Sequence, residues 1–291
     1  MKMRQTLVYF LFLASFNIIA QMNTEVYLCD IKLESGGLIT RNFQNISNDE
    51  GYDSQPSFAS NNNVLFAGNK AGQTDIALYN ISKKTKTWYN KTTNGGEYSP
   101  LLIPDSNGKV SAVRLDPDGL QRLYMYDSIS QENIELIEGL QVAYYDFYNA
   151  ETILAAVLSD NNLDLVFSNL KLKKTDTFMR NVGRSIHRVP DLKTMSYTSE
   201  NEDKNQEIYL LDIETMESFF VCQLPIGILD YTWLNDSQIL IGSGSKLYIY
   251  DTFLNPDWKE VANLSEYNIK DISRLAVSPD GSRLSLVALP K

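Results

Sequence analysis

The sequence predicts an all-β fold, a six-bladed β-propeller of four-stranded antiparallel blades with one blade shared between the two ends of the chain. Three observations predict it. Two apolar motifs each recur six times at one period, turn chemistry separates the strands within a repeat, and the chain ends hold complementary parts of a repeat.

The first motif is an apolar and aromatic run ending in Asp or Asn. Its copies end at Asp30, Asn80, Asp127, Asn169, Asp212 and Asp251, spaced 50, 47, 42, 43 and 39 residues apart, a mean of about 44. That is the period of a four-stranded blade. The second motif is a short strand that begins at Pro56, Pro100, Asp146, Arg188, Thr232 and Arg274, at spacings of 44, 46, 42, 44 and 42. In the second full repeat, four strands are expected at Leu101–Ile103, Val110–Leu115, Arg122–Tyr126 and Ile134–Ile137. Asp105-Ser106-Asn107-Gly108 and Asp116-Pro117-Asp118-Gly119 separate them, and both are rich in residues that self-bond or accept positive φ. The fourth repeat, Leu140–Gly183, retains the least of the pattern.

The chain starts with a third-strand motif at Tyr27 and ends with a first and second strand, Leu275–Val277 and Arg283–Leu289. These parts add up to one blade, so the ring is expected to close by pairing the two ends, which removes exposed edges. On this reading residues 21–291 form a single propeller domain, and no length is left for a second one.

Residues 1–20 are read as a secretory signal peptide. Lys2 and Arg4 precede an apolar stretch, Leu7–Ala20, which is short for a membrane span and ends at a small residue. The chain is therefore expected in the periplasm or outside a bacterial cell. Its formal charge of −10 becomes −12 once Lys2 and Arg4 are removed. Such a surface repels phosphate backbones and anionic lipid, so nucleic acid and membrane surfaces are not expected partners. Cys29 and Cys222 lie in strand-like runs of blades that are not neighbours. A disulfide needs Cα atoms within about 7 Å, so two buried free thiols are expected.

Leu275-Ala276-Val277-Ser278-Pro279-Asp280-Gly281 resembles the strand-and-turn signature of the TolB-like (WD40-like, PD40) propeller repeat family. Tyr197-Thr198-Ser199, followed by Gln206–Asp212, is similar to the next portion of that repeat. The resemblance spans roughly Thr24 to Pro290 and implies a scaffold that contacts envelope proteins and peptide segments.

Chemistry is sparse. His187 is the one histidine, so any Ser-His-Asp or Cys-His relay would have to use it. One His and two separated Cys do not make an ordinary zinc or iron site. No cofactor is expected. Calcium is the one ion the composition leaves open, through Asp116 and Asp118, although Asp-Pro-Asp-Gly is also what a tight turn requires. Glu200, Glu202 and Asp203 read as a solvated hairpin loop. The residues before each first strand, Gln55, Ser99, Tyr145, His187, Tyr231 and Ser273, are expected to ring the channel mouth with Arg188. They would offer stacking and hydrogen bonds to a peptide or oligosaccharide. Phe58, Tyr148 and Trp233, of opposite parity, are expected between blades.

The function expected is a non-catalytic binding or scaffold module, monomeric, for a protein, peptide or cell-envelope ligand. The alternatives are a propeller hydrolase (glycosidase or calcium-dependent lactonase-like) and an accessory propeller of a separately encoded peptidase.

Overall fold

The computed structural model describes residues 23–291; the signal-peptide reading of residues 1–20 lies outside them. Among the described residues, twenty-four strands form six four-stranded antiparallel sheets. Blade 1 holds β3 (Ser54–Ser60), β4 (Asn63–Lys70), β5 (Gln73–Asn80) and β6 (Thr85–Trp88). Blade 2 holds β7 (Gly96–Leu102), β8 (Val110–Leu115), β9 (Gln121–Tyr126) and β10 (Asn133–Glu135). Blade 3 holds β11 (Val142–Asn149), β12 (Thr152–Ser159), β13 (Asn162–Asn169) and β14 (Lys174–Arg180). Blade 4 holds β15 (Val182–Arg188), β16 (Thr194–Glu200), β17 (Gln206–Asp212) and β18 (Ser218–Gln223). Blade 5 holds β19 (Thr232–Trp233), β20 (Gln238–Ser243), β21 (Lys246–Asp251) and β22 (Asn255–Asn263).

The sixth blade is the shared one. Its order is β2-β1-β24-β23, with β1 at Glu25–Glu34, β2 at Gly37–Asn45, β23 at Ile269–Val277 and β24 at Arg283–Pro290. β1 pairs with β24 from Glu25↔Ala288 to Asp30↔Arg283. The expected ring closure is thus present, and the weakly patterned fourth repeat forms a regular blade 3.

The recurring Asp or Asn has a local cause. It ends the third strand and accepts backbone N–H groups two or three residues on, which builds the turn into the fourth strand. Asp212 Oδ1 accepts the amides of Glu214 and Thr215 at 2.8 and 2.9 Å, and Asp251 Oδ1 those of Phe253 and Leu254 at 3.0 and 2.9 Å. Asn80, Asp127 and Asn169 do the same. Asp30 does not, because the β1–β2 hairpin runs on past it to Glu34↔Gly37. In Ser278-Pro279-Asp280-Gly281, Asp280 Oδ1 accepts from Ser278 Oγ and Ser282 Oγ, both at 2.7 Å. Those bonds hold its carboxyl down at about 2.

The core is divided among the blade interfaces. Six buried clusters each join one blade to the next around the ring. Leu240, Leu247 and Ile249 of blade 5 pack on the closing blade, while Ile239, Ile241 and Tyr250 face blade 4. Both faces of each middle strand are therefore buried, which is why these strands read as continuous apolar runs. Phe58, Tyr148 and Trp233 join such clusters, as expected. Cys29 and Cys222 are free and buried, each pushed up to about 12, Cys29 by burial and then the Asp30 charge and Cys222 by burial. Asp116 and Asp118 do serve the turn: Arg122 bridges them with Nη1 on Asp116 Oδ2 at 2.6 Å and Nη2 on Asp118 Oδ2 at 2.8 Å. Among the described residues no helix is long and apolar enough to cross a membrane.

Candidate functional site

The innermost strand of each blade carries the residues nearest the axis, and most of these strands are irregular. The ladder register shifts between Ser54 and Ser57, Tyr98 and Leu101, Val182 and Ile186, and Lys270 and Arg274. Gln55, Ser99 and Asp271 take left-handed φ values of 55°, 51° and 54° at such shifts. An extra residue on one strand re-aims the side chains after it. The parity of the channel wall is therefore reset within the motif itself.

A cavity of about 220 Å³ lies on the axis and takes lining residues from all six blades. Among them are Gln55, Ser99, Tyr144, Arg184, Asp230 and Arg274. A second cavity of about 250 Å³ adjoins it between blades 4, 5 and 6, and shares Arg184, Asp230 and Leu275 with the first.

The residues expected at the mouth separate into two groups. Gln55, Ser99, Tyr145 and His187 line the axial cavity. Tyr145 nonetheless is buried, and its hydroxyl bonds Ser111 Oγ at 2.8 Å and Ser99 O at 3.0 Å. Tyr231 lines neither cavity: it is wholly buried, and its hydroxyl donates to Ser196 Oγ at 2.8 Å, as does Trp233 Nε1. Each of these two tyrosines ties its blade to a serine on the second strand of the preceding blade, a structural role. Ser273 is exposed and lines the second cavity rather than the first. Arg188 is exposed outside both, and its backbone amide donates to Asp146 Oδ2 at 2.8 Å.

The axial cavity is also lined by neighbours one residue away: Tyr144 beside Tyr145, Asp230 in place of Tyr231, and Arg274 in place of Ser273. With Arg184, and with Tyr52 and Tyr98, which line neither cavity, they recur at spacings of 46, 46, 40, 46 and 44 residues. That period was legible in the sequence; the bulges hid its phase. The Tyr52 and Tyr98 rings lie 6.1 Å apart, and the Arg274 guanidinium stands 5.7 Å over the Tyr144 ring.

The charges of the wall are mostly paired. Arg274 Nη1 donates to Asp230 Oδ1 at 2.8 Å, and Ser185 Oγ donates to the same oxygen at 2.8 Å. Burial is the largest influence on Arg274 and disfavours its cation, but the Asp230 carboxylate together with Tyr144 and Tyr52 outweighs it and raises its pKa overall. Asp146 accepts the Phe147 amide at 2.7 Å as well as that of Arg188. Burial still pushes its carboxyl up to about 6. His187 is driven down to about 4 by burial, so its ring is neutral at pH 7, and its Nε2 is buried without a hydrogen-bond partner among the described residues. The ring meets Tyr231 edge-on, with centroids 4.7 Å apart.

Two further carboxyls are buried behind the wall. Asp53 and Glu97 are each pushed up to about 7, chiefly by burial, and each has one oxygen without a hydrogen-bond partner among the described residues. A carboxyl raised in the folded state binds protons that the unfolded chain has already released. Its contribution therefore falls as pH rises from about 4 to about 7. His187 acts in the opposite sense, costing stability as pH drops from about 6.5 toward 4. We expect Asp53→Asn and Glu97→Gln each to stabilise the fold at pH 8 by on the order of 2 kcal/mol, seen as a higher melting temperature, with the gain shrinking steadily toward pH 4. Thermal melts of both variants across that range check this.

No family model matches the chain, and no curated protein is similar to it. Solved structures are similar in shape. A TolB candidate from Agrobacterium tumefaciens superposes with a TM-score of 0.66 at 10% identity, over 94% of this chain and 100% of that one. TolB from Acinetobacter baumannii gives a TM-score of 0.55 at 10% identity over 90% of this chain, which spans 63% of that protein's length. An oligogalacturonate lyase from Vibrio parahaemolyticus gives 0.50 at 11% identity, over 94% of this chain and 99% of that one. Likeness at such low identity, to proteins of different activity, establishes the six-bladed propeller fold and nothing finer.

Proposed function

We propose that this chain is an exported, non-catalytic, monomeric propeller that recognises a protein, peptide or cell-envelope ligand at the axial channel. The observation that carries the reading is the pairing of the channel groups. Asp230 is held by Arg274 and Ser185, and Asp146 by two amides, so each carboxylate is already engaged by the protein. A site made of paired charges, tyrosine rings and serine hydroxyls suits recognition better than proton transfer. Likeness to TolB structures is consistent with a protein partner. Export rests on the N-terminal segment.

A second reading, a propeller hydrolase, has one observation in its favour: Asp146, at about 6, lies in the range of a general base. A thermal-shift screen against envelope peptides, oligosaccharides, Ca²⁺ and EDTA separates the two. A ligand at 100 times its Kd stabilises the native state by about 2.7 kcal/mol. Stabilisation by one ligand class, unaffected by EDTA and without turnover, is the expected result. Turnover abolished by Asp146→Asn, or a large loss of stability in EDTA, would overturn it.

A further inference from the structure

Arg184 differs from the other charged groups of the channel. Among the described residues no carboxylate lies within 4 Å of it, and its one hydrogen bond is long, from Nε to Leu229 O at 3.4 Å. Burial, followed by the charge of Arg274, lowers its pKa from the ordinary value. A guanidinium has five N–H donors in a rigid fork that matches a carboxylate, and here that fork is partly buried with Asp230 acting on it only through space and no carboxylate in contact.

Its position is equally particular, because Arg184 lines both the axial cavity and the adjoining one. At about 220 and 250 Å³ each falls below the ~300–1,000 Å³ of a drug-sized site. Each accommodates a small group, and together they suit two successive units of an extended chain. The second cavity presents Ile228, Leu229, Ile272 and Leu275 beside the bare backbone of Gly227 and Gly244, so part of its wall is aliphatic. It also contains Asp230 and Asp271. A polyanion would set its second charge against those carboxylates, whereas a ligand with a single terminal charge and an apolar neighbour would not.

We propose that the channel binds the free C-terminal carboxylate of a peptide, anchored by Arg184, with an adjacent apolar side chain in the second cavity. This rests on the binding-module reading and names its ligand chemistry. The charged and titratable groups around the anchored carboxylate are Arg184, Arg274, Asp230, Asp146, His187 and Tyr144 in the axial cavity, Asp271 in the adjoining one, and Tyr52 beside Arg184. Of these, Asp146 takes up a proton as pH falls through about 6. Affinity is therefore expected to rise between pH 7.5 and 5.5, and then to fall as the peptide carboxyl itself protonates at about 3.5.

The test compares a random tetrapeptide library carrying free carboxyl ends with the same library amidated. Retention on residues 21–291 is read by mass spectrometry, and the best binder is titrated by calorimetry. Free acids should bind at least tenfold more tightly than amides, and Arg184→Met should lose that preference. Arg184→Met without ligand should melt close to the parent, because it removes a partly buried cation that no carboxylate contacts; a folded variant that loses binding assigns the role. Arg184→Lys, which keeps the charge but not the fork, should bind at an intermediate level. Equal retention of acids and amides, or unchanged binding by folded Arg184→Met, overturns the carboxylate anchor while leaving a binding channel. Retention of tri-galacturonate with no peptide retained overturns the peptide. If neither library nor any oligosaccharide is retained, the binding reading fails with it.

Discussion

Leu28→Pro is expected to remove the cooperative thermal transition of the whole domain. Leu28 lies in β1, between β2 and β24, where it pairs with Gln44 on one side and Ser285 on the other. Proline there removes a ladder donor and cannot be accommodated in a central strand. The side chain lost is also buried among Val26, Val64, Phe66 and Val287, at the interface with blade 1. The effect should spread because β1 links the start of the chain to the last two strands. When that sheet separates, blades 1 and 5 each lose a covered face. The expected observation is loss of the near-ultraviolet circular dichroism signal at 25 °C and a flat melt. Ile226→Ala, at a position 89% exposed, should stay within about 0.5 kcal/mol of the parent. A Leu28→Pro protein that melts sharply near the parent temperature would show that ring closure contributes little.

Asp230→Asn should be the most damaging single change in the channel. It keeps the shape of the side chain and removes the charge that compensates Arg274, whose side chain is only 15% exposed. Leaving one partner of a buried pair uncompensated costs about 3–5 kcal/mol, which for a domain of this size is a fall in melting temperature on the order of 6 °C or more. Arg184 would then share the channel with a second unpaired guanidinium. Removing both charges in Asp230→Asn/Arg274→Met should recover most of the loss, since replacing a buried pair together is often close to neutral. A double variant no more stable than Asp230→Asn would mean that the cost comes from the bonds Ser185 makes to this segment, not from the orphaned cation.

Much of the architecture was legible in the amino-acid order because it depends on local chemistry repeated six times. Asn80, Asp127, Asn169, Asp212 and Asp251 end their strands by capping the next turn. A bond of that kind spans two or three residues, so its period survives in the sequence even where neighbouring blades share little else. The complementary ends at Tyr27 and Leu275 likewise showed which strands must meet, because half a blade cannot cover its own edges. The interblade placement of Phe58 and Tyr148, three residues on from Gln55 and Tyr145, followed from strand alternation, whereas Trp233 is two on from Tyr231 and shares its side, both donating to Ser196 Oγ.

The channel wall was decided by the tertiary structure. Of the residues the motif marks, Gln55, Ser99, Tyr145 and His187 line the axial cavity, Ser273 lines the adjoining one, and Tyr231 and Arg188 line neither, while Arg184, Asp230 and Tyr144 come from positions the motif does not mark. Side chains on a strand alternate with a period of two, so a single bulged residue exchanges the inward and outward sets. Whether a strand bulges at Ser99 or between Val182 and Ile186 depends on its fit against the next blade, which no local pattern records. The pairing of Arg274 with Asp230 across two blades, and the solitude of Arg184 beside them, come into being only when six separate strands converge on one axis.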